Sequence, residues 1–193
     1  MKSQLNSYKE GINFEFLQQY CIENGEMRIF KHGELFEHLG ESSHRIGYIE
    51  KGCFKYIVHN EKEGKDYITG FAFADEFVGD YPNCLYGLTS EVMIKASMAS
   101  KVYIVEGAEI YRMFNENIKS LQYGMKIMEG LFRQIYSNHL NFYRLDARGR
   151  YEHLLNRCPQ VVQQLSLKDI SSYLKLHPNT ISKIRHDITF SEQ

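Results

Sequence analysis

The residues best suited to chemistry in this sequence lie between positions 165 and 188, and their types could read DNA. Asparagine can pair bidentately with adenine and lysine can bond the acceptors of guanine, each contact discriminating by about 1 to 3 kcal/mol. Hydroxyl, imidazole and ammonium groups can hold phosphates, which positions a protein on the duplex. The outward set is expected to be Pro178, Asn179, Ser182, Lys183 and His186, and the phosphate-holding set Ser166, Lys168, His177 and Thr180.

Two short helices must position these groups. Proline suits the first position of a helix, because its φ is already helical and its missing N–H would be unpaired there. Pro178 also disfavours helical geometry at His177. We therefore predict helices of about eight and about eleven residues joined by a turn at 175–177, the helix-turn-helix arrangement, whose second helix enters the major groove. A helical hairpin that serves only packing is the alternative.

The apolar residues of this stretch are expected to fill a small core, with Ser171 supplying the small side chain where the helices cross. A left-handed Lys175 would cost about 1 to 2 kcal/mol, and His177 is expected to cap a helix poorly. Only five residues follow Ile188, which predicts that a full β-hairpin wing is lacking. The core set is Ile170, Tyr173, Leu174, Leu176, Ile181, Ile184 and Ile188.

Charge favours the same region. Residues 144–187 contain eight Lys or Arg and four acids, a local net charge of +4, whereas the whole chain carries −1. No apolar leader segment and no membrane-spanning run is visible, so the protein is expected to be soluble and cytoplasmic, without a membrane partner. The four cysteines form no CxxC pair, which favours reduced thiols over a metal site.

Glycines mark a β-rich N-terminal half. Nine of the fourteen glycines lie between Gly25 and Gly87, separating short stretches rich in β-branched and aromatic residues. This pattern is typical of short antiparallel strands, and residues 25–106 are predicted to form a β-sandwich or jelly roll. A short helix closed by Gly25 is expected ahead of it. The fold class is therefore α+β.

A long helix follows, with an apolar stripe in three-four spacing that is typical of a coiled-coil seam between two copies of the chain. Packing of this helix on its own β domain alone is the alternative. Gly124 and Gly130 each cost about 1 kcal/mol inside a helix and predict close backbone approaches. His139 is expected to be a partly buried, hydrogen-bonded imidazole, or alternatively a pH-sensitive one. The stripe comprises Ile118, Leu121, Met125, Met128, Phe132, Ile135, His139 and Phe142.

The order of these parts resembles the Crp/Fnr superfamily of bacterial transcription regulators over nearly the whole chain. Three stretches carry the resemblance: GYIEKGCFKYIV near the start of the effector domain, RLDARGRYEHLL at the hinge where an aspartate closes the dimer helix, and LSLKDISSYLKLHPNTISKIR in the DNA-reading head. The resemblance implies a cyclic-nucleotide-binding-like β-roll at 1–107, a dimerisation helix at 108–145 and a DNA-binding domain at 146–193. It also implies a homodimer on a near-palindromic duplex, an effector in the β-roll, and RNA polymerase as a further candidate partner.

The effector cassette departs from that family. The stretch FVGDYPNCLYGLTSEVMIKA keeps Phe77 and Gly79 and places Asp80 at the acid, but the phosphate-holding arginine position falls on Ser90, followed by Glu91. A phosphate facing Glu91 without a cation would be strongly unfavourable. Ile135 and Tyr136 take the places on the dimer helix that offer hydroxyls to the base in cyclic AMP binders. We expect an effector other than cyclic AMP, of apolar or aromatic character, or none, and predict no cofactor.

Two other function classes remain open at this stage. A cupin-like metalloenzyme on the same β-roll would need converging histidines and carboxylates. A regulator that dimerises but binds another protein instead of DNA is disfavoured by the local positive charge. The metal-binding candidates are His32, His38, His44 and His59, with Glu34, Glu37, Glu41 and Glu50.

Overall fold

The computed structural model describes residues 5–191 and has the α+β architecture that the sequence predicts. The chain forms two compact units. One, here called the β unit, is Tyr8–Leu131; the other, the helical unit, comprises the described residues 5–7 and 132–191. One helix, α4, runs through the boundary between them.

The β unit contains two four-stranded antiparallel sheets, as expected for a jelly roll. The first sheet has the order β1-β8-β3-β6 and the second the order β2-β7-β4-β5. The predicted span of 25–106 closely matches the strands. These are β1 Glu26–Phe30, β2 Leu35–Glu37, β3 Arg45–Lys51, β4 Cys53–Asn60, β5 Lys65–Phe73, β6 Phe77–Val78, β7 Met93–Ala96 and β8 Ser100–Glu106.

Aromatic and β-branched side chains from both sheets fill the core of the β unit. Phe30, Phe36 and Phe54 have no exposed surface, and their rings lie 5.4 to 5.9 Å apart between centroids. These separations are in the range in which aromatic pairs add to the energy of burial. These aromatic strand residues thus belong to a shared cluster of buried side chains.

Helices of the β unit cover the first sheet. α1 Glu15–Asn24 contacts β8 and β3 and buries Leu17 and Cys21. α2 Asn83–Tyr86 lies against α3 Gly107–Phe114. Gly25 ends α1 as expected, but in extended geometry with φ −84°; a Cβ there would lie 2.4 Å from the Cys21 carbonyl oxygen, so close approach explains the glycine.

The long helix α4, Ile118–Arg144, packs one of its faces inside the β unit. Ile127 is buried there. A Cβ on Gly124 would lie 3.0 Å from the Phe114 ring, and one on Gly130 would lie 2.7 Å from the carbonyl oxygen of Tyr8. Both glycines therefore allow neighbouring groups to approach the backbone of α4 closely, as was predicted from the stability that glycine costs inside a helix.

Gly107→Ala should destabilise the β unit by about 3 kcal/mol. A Cβ at this position would lie 1.9 Å from the Cys84 carbonyl oxygen, and the Gly107 N–H donates to the His44 carbonyl at 2.7 Å, so the backbone cannot easily move away. Urea unfolding of the intact protein measures the change. Gly70→Ala is the control, because its added Cβ would meet only the Tyr56 ring, at 3.7 Å, which is an ordinary contact; equal stability of wild type and Gly107→Ala would contradict the packing described.

All four cysteines are free and buried. Burial raises the pKa of Cys21 and of Cys84 to about 12, which keeps both thiols protonated near neutral pH. They act as small apolar side chains. Among the described helices, none is long and apolar enough to cross a membrane.

Candidate nucleic-acid interface

In the helical unit, a break of two residues separates the end of the long helix α4 from the next helix, α5. α4 ends at Arg144, and α5, Ala147–Arg157, begins after Asp146. The Asp146 Oδ1 accepts the Gly149 N–H at 2.7 Å, which caps α5. The hinge motif therefore has the local structure that the resemblance implied. A single turn of helix, α6 Val161–Gln164, leads to the next pair.

The first helix of that pair, α7, is Leu167–Tyr173. Ser166 caps its start, because its Oγ accepts the Asp169 N–H at 3.0 Å. At its end the Leu176 N–H donates to the Ser171 carbonyl and the Lys175 N–H to the Ser172 carbonyl. These bonds form a Schellman motif, and Lys175 takes its left-handed position with φ 53°. The strain expected for Lys175 is present.

The side chain of Lys175 compensates part of this strain through Phe142. The Lys175 ammonium lies 4.5 Å from the centroid of the Phe142 ring, and the Arg150 guanidinium lies 5.7 Å from the same centroid. Both distances permit cation–π attraction of about 0.5 to 1 kcal/mol. Phe142, expected in the seam, is thus partly buried by cations of its own chain.

Lys175→Gly should be more stable than Lys175→Ala by about 1 kcal/mol. Both variants lose the contact with Phe142, and only alanine keeps the cost of a left-handed Cβ. Thermal unfolding of the two variants under the same conditions measures the free-energy cost of the left-handed backbone conformation. Equal stabilities would show that Lys175 leaves the left-handed region.

The second helix, α8, is Pro178–Ser191, with proline first as predicted. The two helices have seven and fourteen residues rather than about eight and about eleven, because α7 stops at Tyr173 and α8 continues past Ile188. His177, which helix-cap preferences rank below Ser or Asp, lies at the cap position of α8. The Asn179 N–H donates to the His177 Nδ1 at 3.2 Å, so the imidazole acts as the cap.

Opposite faces of α8 have opposite character. Ile181 and Ile184 are buried together with Ile170, Ser171 and Leu174, which form the small core expected from the sequence. The outward residues recur at positions i, i+3, i+4 and i+7, which places them on one face of the helix. That face carries the exposed side chains Asn179, Ser182, Lys183 and His186.

The remaining sequence-predicted contact residues lie at the ends of the two helices. Ser166, Lys168 and His177 are exposed, whereas Pro178 and Thr180 are half-buried. The His186 Nδ1 lies 3.7 Å from the Asp187 Oδ1, too far for a strong hydrogen bond. The helix pair therefore presents an amide, hydroxyls, imidazoles and ammonium groups from one small module.

The apolar stripe of α4 is exposed along most of its length. The exposed fraction is 74% for Ile118, 70% for Phe132 and 65% for Ile135. His139, expected to be partly buried, is exposed, and its ring packs edge-on against Tyr143 with centroids 5.2 Å apart. Packing on the β unit thus uses a different face from the predicted seam. The other exposed stripe residues are Leu121, Met125 and Met128.

In the stretch FVGDYPNCLYGLTSEVMIKA, the carboxylate of Asp80 accepts hydrogen bonds from its own chain. Its Oδ2 accepts the Ser90 hydroxyl at 2.9 Å, the Asn83 amide at 3.1 Å and the Glu91 N–H at 3.2 Å. A buried carboxyl lies nearby: burial raises the pKa of Glu37, and the negative charge of Asp80 adds to this rise. The carboxylate of Asp80 therefore already accepts the hydrogen bonds that these three donors could otherwise give to a ligand.

The other residues considered for effector binding are divided between the β unit and the helical unit. Phe77 packs against Phe14 and Tyr48, with ring centroids 5.6 and 5.8 Å away. A Cβ on Gly79 would lie 2.9 Å from the Arg45 carbonyl oxygen, so glycine is required. Ile135 and Tyr136 belong to the helical unit and are exposed in it.

Two of the four histidines considered for a metal site have separate partners in the chain. His59 Nδ1 lies 2.8 Å from Asp66, and His44 Nδ1 lies 3.0 Å from the Ser42 carbonyl oxygen. Glu34 pairs with Arg28 at 2.6 Å. Over residues 5–191, no group of three histidine, cysteine or acidic side chains could hold a metal ion.

Solved structures with the same arrangement of sheets and helices identify the fold. FixK2 from Bradyrhizobium japonicum superposes with a TM-score of 0.76 at 15% identity, covering 87% of this chain and 86% of that one. The c-di-GMP responsive global regulator CLP from Xanthomonas campestris gives 0.67 at 12% identity, covering 92% and 93%. A transcriptional regulator of the crp/fnr family from Eubacterium rectale gives 0.66 at 14% identity, covering 91% and 83%. The chain has the Crp/Fnr fold.

The Crp/Fnr fold is shown here by structure and not by sequence. No protein-family model matches the sequence, and no curated protein matches it. Within this fold, the features that the sequence did not predict include the hydrogen bond of His177 to the start of α8 and the contact of Phe142 with Lys175 and Arg150. For the hydrogen bond of His177, the sequence did offer a signal, because the histidine directly precedes the proline that starts α8.

Proposed function

We propose that this protein is a sequence-specific DNA-binding transcription regulator of the Crp/Fnr type that acts as a homodimer. One observation carries the proposal: α8 buries Ile181 and Ile184 while an opposite row from Asn179 to His186 is exposed. That row offers the amide and ammonium groups that read adenine and guanine edges. The local net charge of +4 over residues 144–187 supplies attraction for phosphates.

The exposed stripe of α4 supports the homodimer. Large apolar side chains repeat along it in the three-four spacing of a coiled coil, and most remain uncovered in a single chain. Pairing with the same stripe of a second copy would remove these surfaces from water. Such an interface has two-fold symmetry, because the same patch is used by both chains.

The homodimer would read a near-palindromic site, one half per subunit. Two copies of α8 related by a two-fold axis fit successive major grooves, whose half-sites lie about one turn, ~34 Å, apart. RNA polymerase is the further partner proposed for a regulator of this kind. In the proposed domain organisation, residues 1–107 respond to the effector, residues 108–145 form the dimer and residues 146–193 bind DNA.

The effector proposed for the β unit is not cyclic AMP. Asp80 and Glu37 already place two carboxyl groups in this region. Asp80 already accepts hydrogen bonds from the Ser90 hydroxyl, the Asn83 amide and the Glu91 N–H. A cyclic phosphate would have to displace these bonds and add a further negative charge. Calorimetry with millimolar cyclic AMP should give no saturable heat. Saturable binding of one molecule per chain would contradict this assignment.

Selection of bound duplexes from a random pool at physiological salt tests the proposed function. The intact protein should enrich a near-palindrome, and an Asn179→Ala, Lys183→Ala double variant should lose or relax it. A matched control, Lys62→Ala, changes an exposed lysine of the β unit. This variant should enrich the same DNA sequence as the wild-type protein. Absence of enrichment with the intact protein, or the same motif from the double variant, would contradict reading by α8.

A further inference from the structure

Two residues near the start of the β unit, Tyr8 and Lys9, contact residues 74–77, here called the β5–β6 turn. The Lys9 ammonium donates a hydrogen bond to the carbonyl oxygen of Asp75. The Phe77 N–H donates to the Tyr8 hydroxyl oxygen at 3.5 Å, which is a weak hydrogen bond. Because Tyr8 is buried, its ring is held in place in the interior of the β unit. The two residues therefore bind the turn at two of its four positions.

The β5–β6 turn is strained at Asp75. This residue has φ 66°, in the left-handed region that residues other than glycine rarely adopt. The Tyr48 hydroxyl donates to Asp75 Oδ1 at 3.0 Å, and the Asp75 N–H donates to the Ile49 carbonyl at 2.8 Å. A conformation of this kind persists only where surrounding contacts hold it. Tyr48 and Ile49 belong to β3, so the bond from Lys9 is the one of these three that comes from outside the sheets.

The segment that carries Tyr8 also lies against the part of α4 that belongs to the β unit. A Cβ on Gly130 would lie 2.7 Å from the Tyr8 carbonyl oxygen, and the three atoms nearest to it all belong to Tyr8. About two turns earlier on the helix, the Tyr123 hydroxyl donates to the Asn13 carbonyl at 2.8 Å. Residues 8–13 therefore contact α4 at two levels of the helix.

We propose that Tyr8 and Lys9 form a clasp that couples the β5–β6 turn to α4, so that a displacement of either element is transmitted to the other. The coupling is reciprocal, because the same pair of residues contacts both elements. The turn ends at Phe77, where the stretch considered for effector binding begins, and α4 carries the exposed stripe. The clasp lies within the β unit; its use in regulation rests on the proposed function, in which an effector acts in the β unit and the dimer forms through α4.

Hydrogen exchange of the free, full-length protein, followed by mass spectrometry, tests the clasp from the side of the turn. Lys9→Met keeps a long side chain and removes the donor to Asp75. Amides of residues 74–77 and of residues 125–131 in α4 should both exchange about tenfold faster, because a hydrogen bond from a charged group contributes about that factor to an opening equilibrium. Lys62→Met, at an exposed lysine of the β unit, is the control and should leave both segments as in wild type.

Gly130→Ala tests the clasp from the side of the helix. The added methyl group would press on the Tyr8 carbonyl, and amides of the β5–β6 turn should exchange about tenfold faster. Gly124→Ala is the matched control, because it adds the same methyl group to the same helix but places it 3.0 Å from the Phe114 ring. In this control the turn should keep its wild-type exchange. The Lys9→Met, Gly130→Ala double variant should exceed the stronger single variant by no more than about twofold, because the clasp is then already released.

Faster exchange confined to the altered side in each variant would overturn the proposal. Effects that multiply in the double variant would overturn it as well, because the turn and the helix would then open independently. Exchange in the paired strands β4 and β7 should stay unchanged, and faster exchange there would mean a general loss of stability instead of coupling, which also overturns the clasp. If Gly130→Ala does not fold, exchange of residues 125–131 in Lys9→Met decides. Since no DNA is used, failure of the intact protein to select a duplex would refute DNA reading and leave the clasp standing.

Discussion

Phe132→Glu should convert the proposed homodimer into a folded monomer at micromolar concentration. The Phe132 side chain is 70% exposed in a single chain, so the substitution should alter the stability of the chain itself by less than about 0.5 kcal/mol. In a paired seam, however, it would bury two facing carboxylates without partners, which costs several kcal/mol. Sedimentation measures the mass, and circular dichroism verifies the fold.

The same variant should bind the selected duplex at least about 1,000-fold more weakly, because each monomer can then hold only one half-site. Ser137→Glu is the matched control. It adds the same charge to an exposed position of the same helix, two residues beyond Ile135 and off the three-four stripe. A dimeric Phe132→Glu protein, or a monomeric Ser137→Glu protein, would show that the stripe of α4 is not the interface.

Lys183→Glu should lower the affinity for the selected duplex by about 1,000-fold. Lys183 is exposed in the middle of the outward row of α8, next to Ser182 and one turn from Asn179. The substitution would remove the proposed base or phosphate contact, worth about 1 to 3 kcal/mol in each subunit, and would replace attraction of DNA by repulsion. Fluorescence anisotropy at two salt concentrations measures both the affinity and its slope.

Lys62→Glu supplies the control for charge. It makes the same change of two units at an exposed lysine in the turn after β4 and leaves α8 untouched. Its affinity should stay within about threefold of wild type at physiological salt, since screening weakens interactions between distant exposed charges. Equal losses in both variants would mean that net charge, and not the position of Lys183, determines binding.

Patterns that repeat along the chain were readable from the sequence. Closely spaced glycines among aromatic strands predicted the sheets, and the spacing from Ile118 to Phe132 predicted one continuous helix with an uncovered stripe. Pro178 predicted where α8 begins. In each case a local physical rule acts on neighbouring residues, so no knowledge of distant contacts was needed.

Features that depend on contacts between distant residues were not readable. Phe142 matched the stripe by spacing, yet Lys175, more than thirty residues later, packs its ammonium against the ring. Asp80 was considered as a ligand-binding acid, but the fold brings Ser90 and the Glu91 N–H to it and satisfies it internally. The bond of His177 is a local exception: general cap preferences rank histidine low, yet its Nδ1 accepts the Asn179 N–H two residues later.

The mass and protection pattern of the complex on the selected duplex test the central claim most directly. Two chains per duplex, with two protected segments centred about one helical turn apart, are the expected result. This outcome requires both the pairing of α4 and the reading by α8. A single chain per duplex, or one uninterrupted protected segment without symmetry, would contradict the account of a homodimer that reads a near-palindrome.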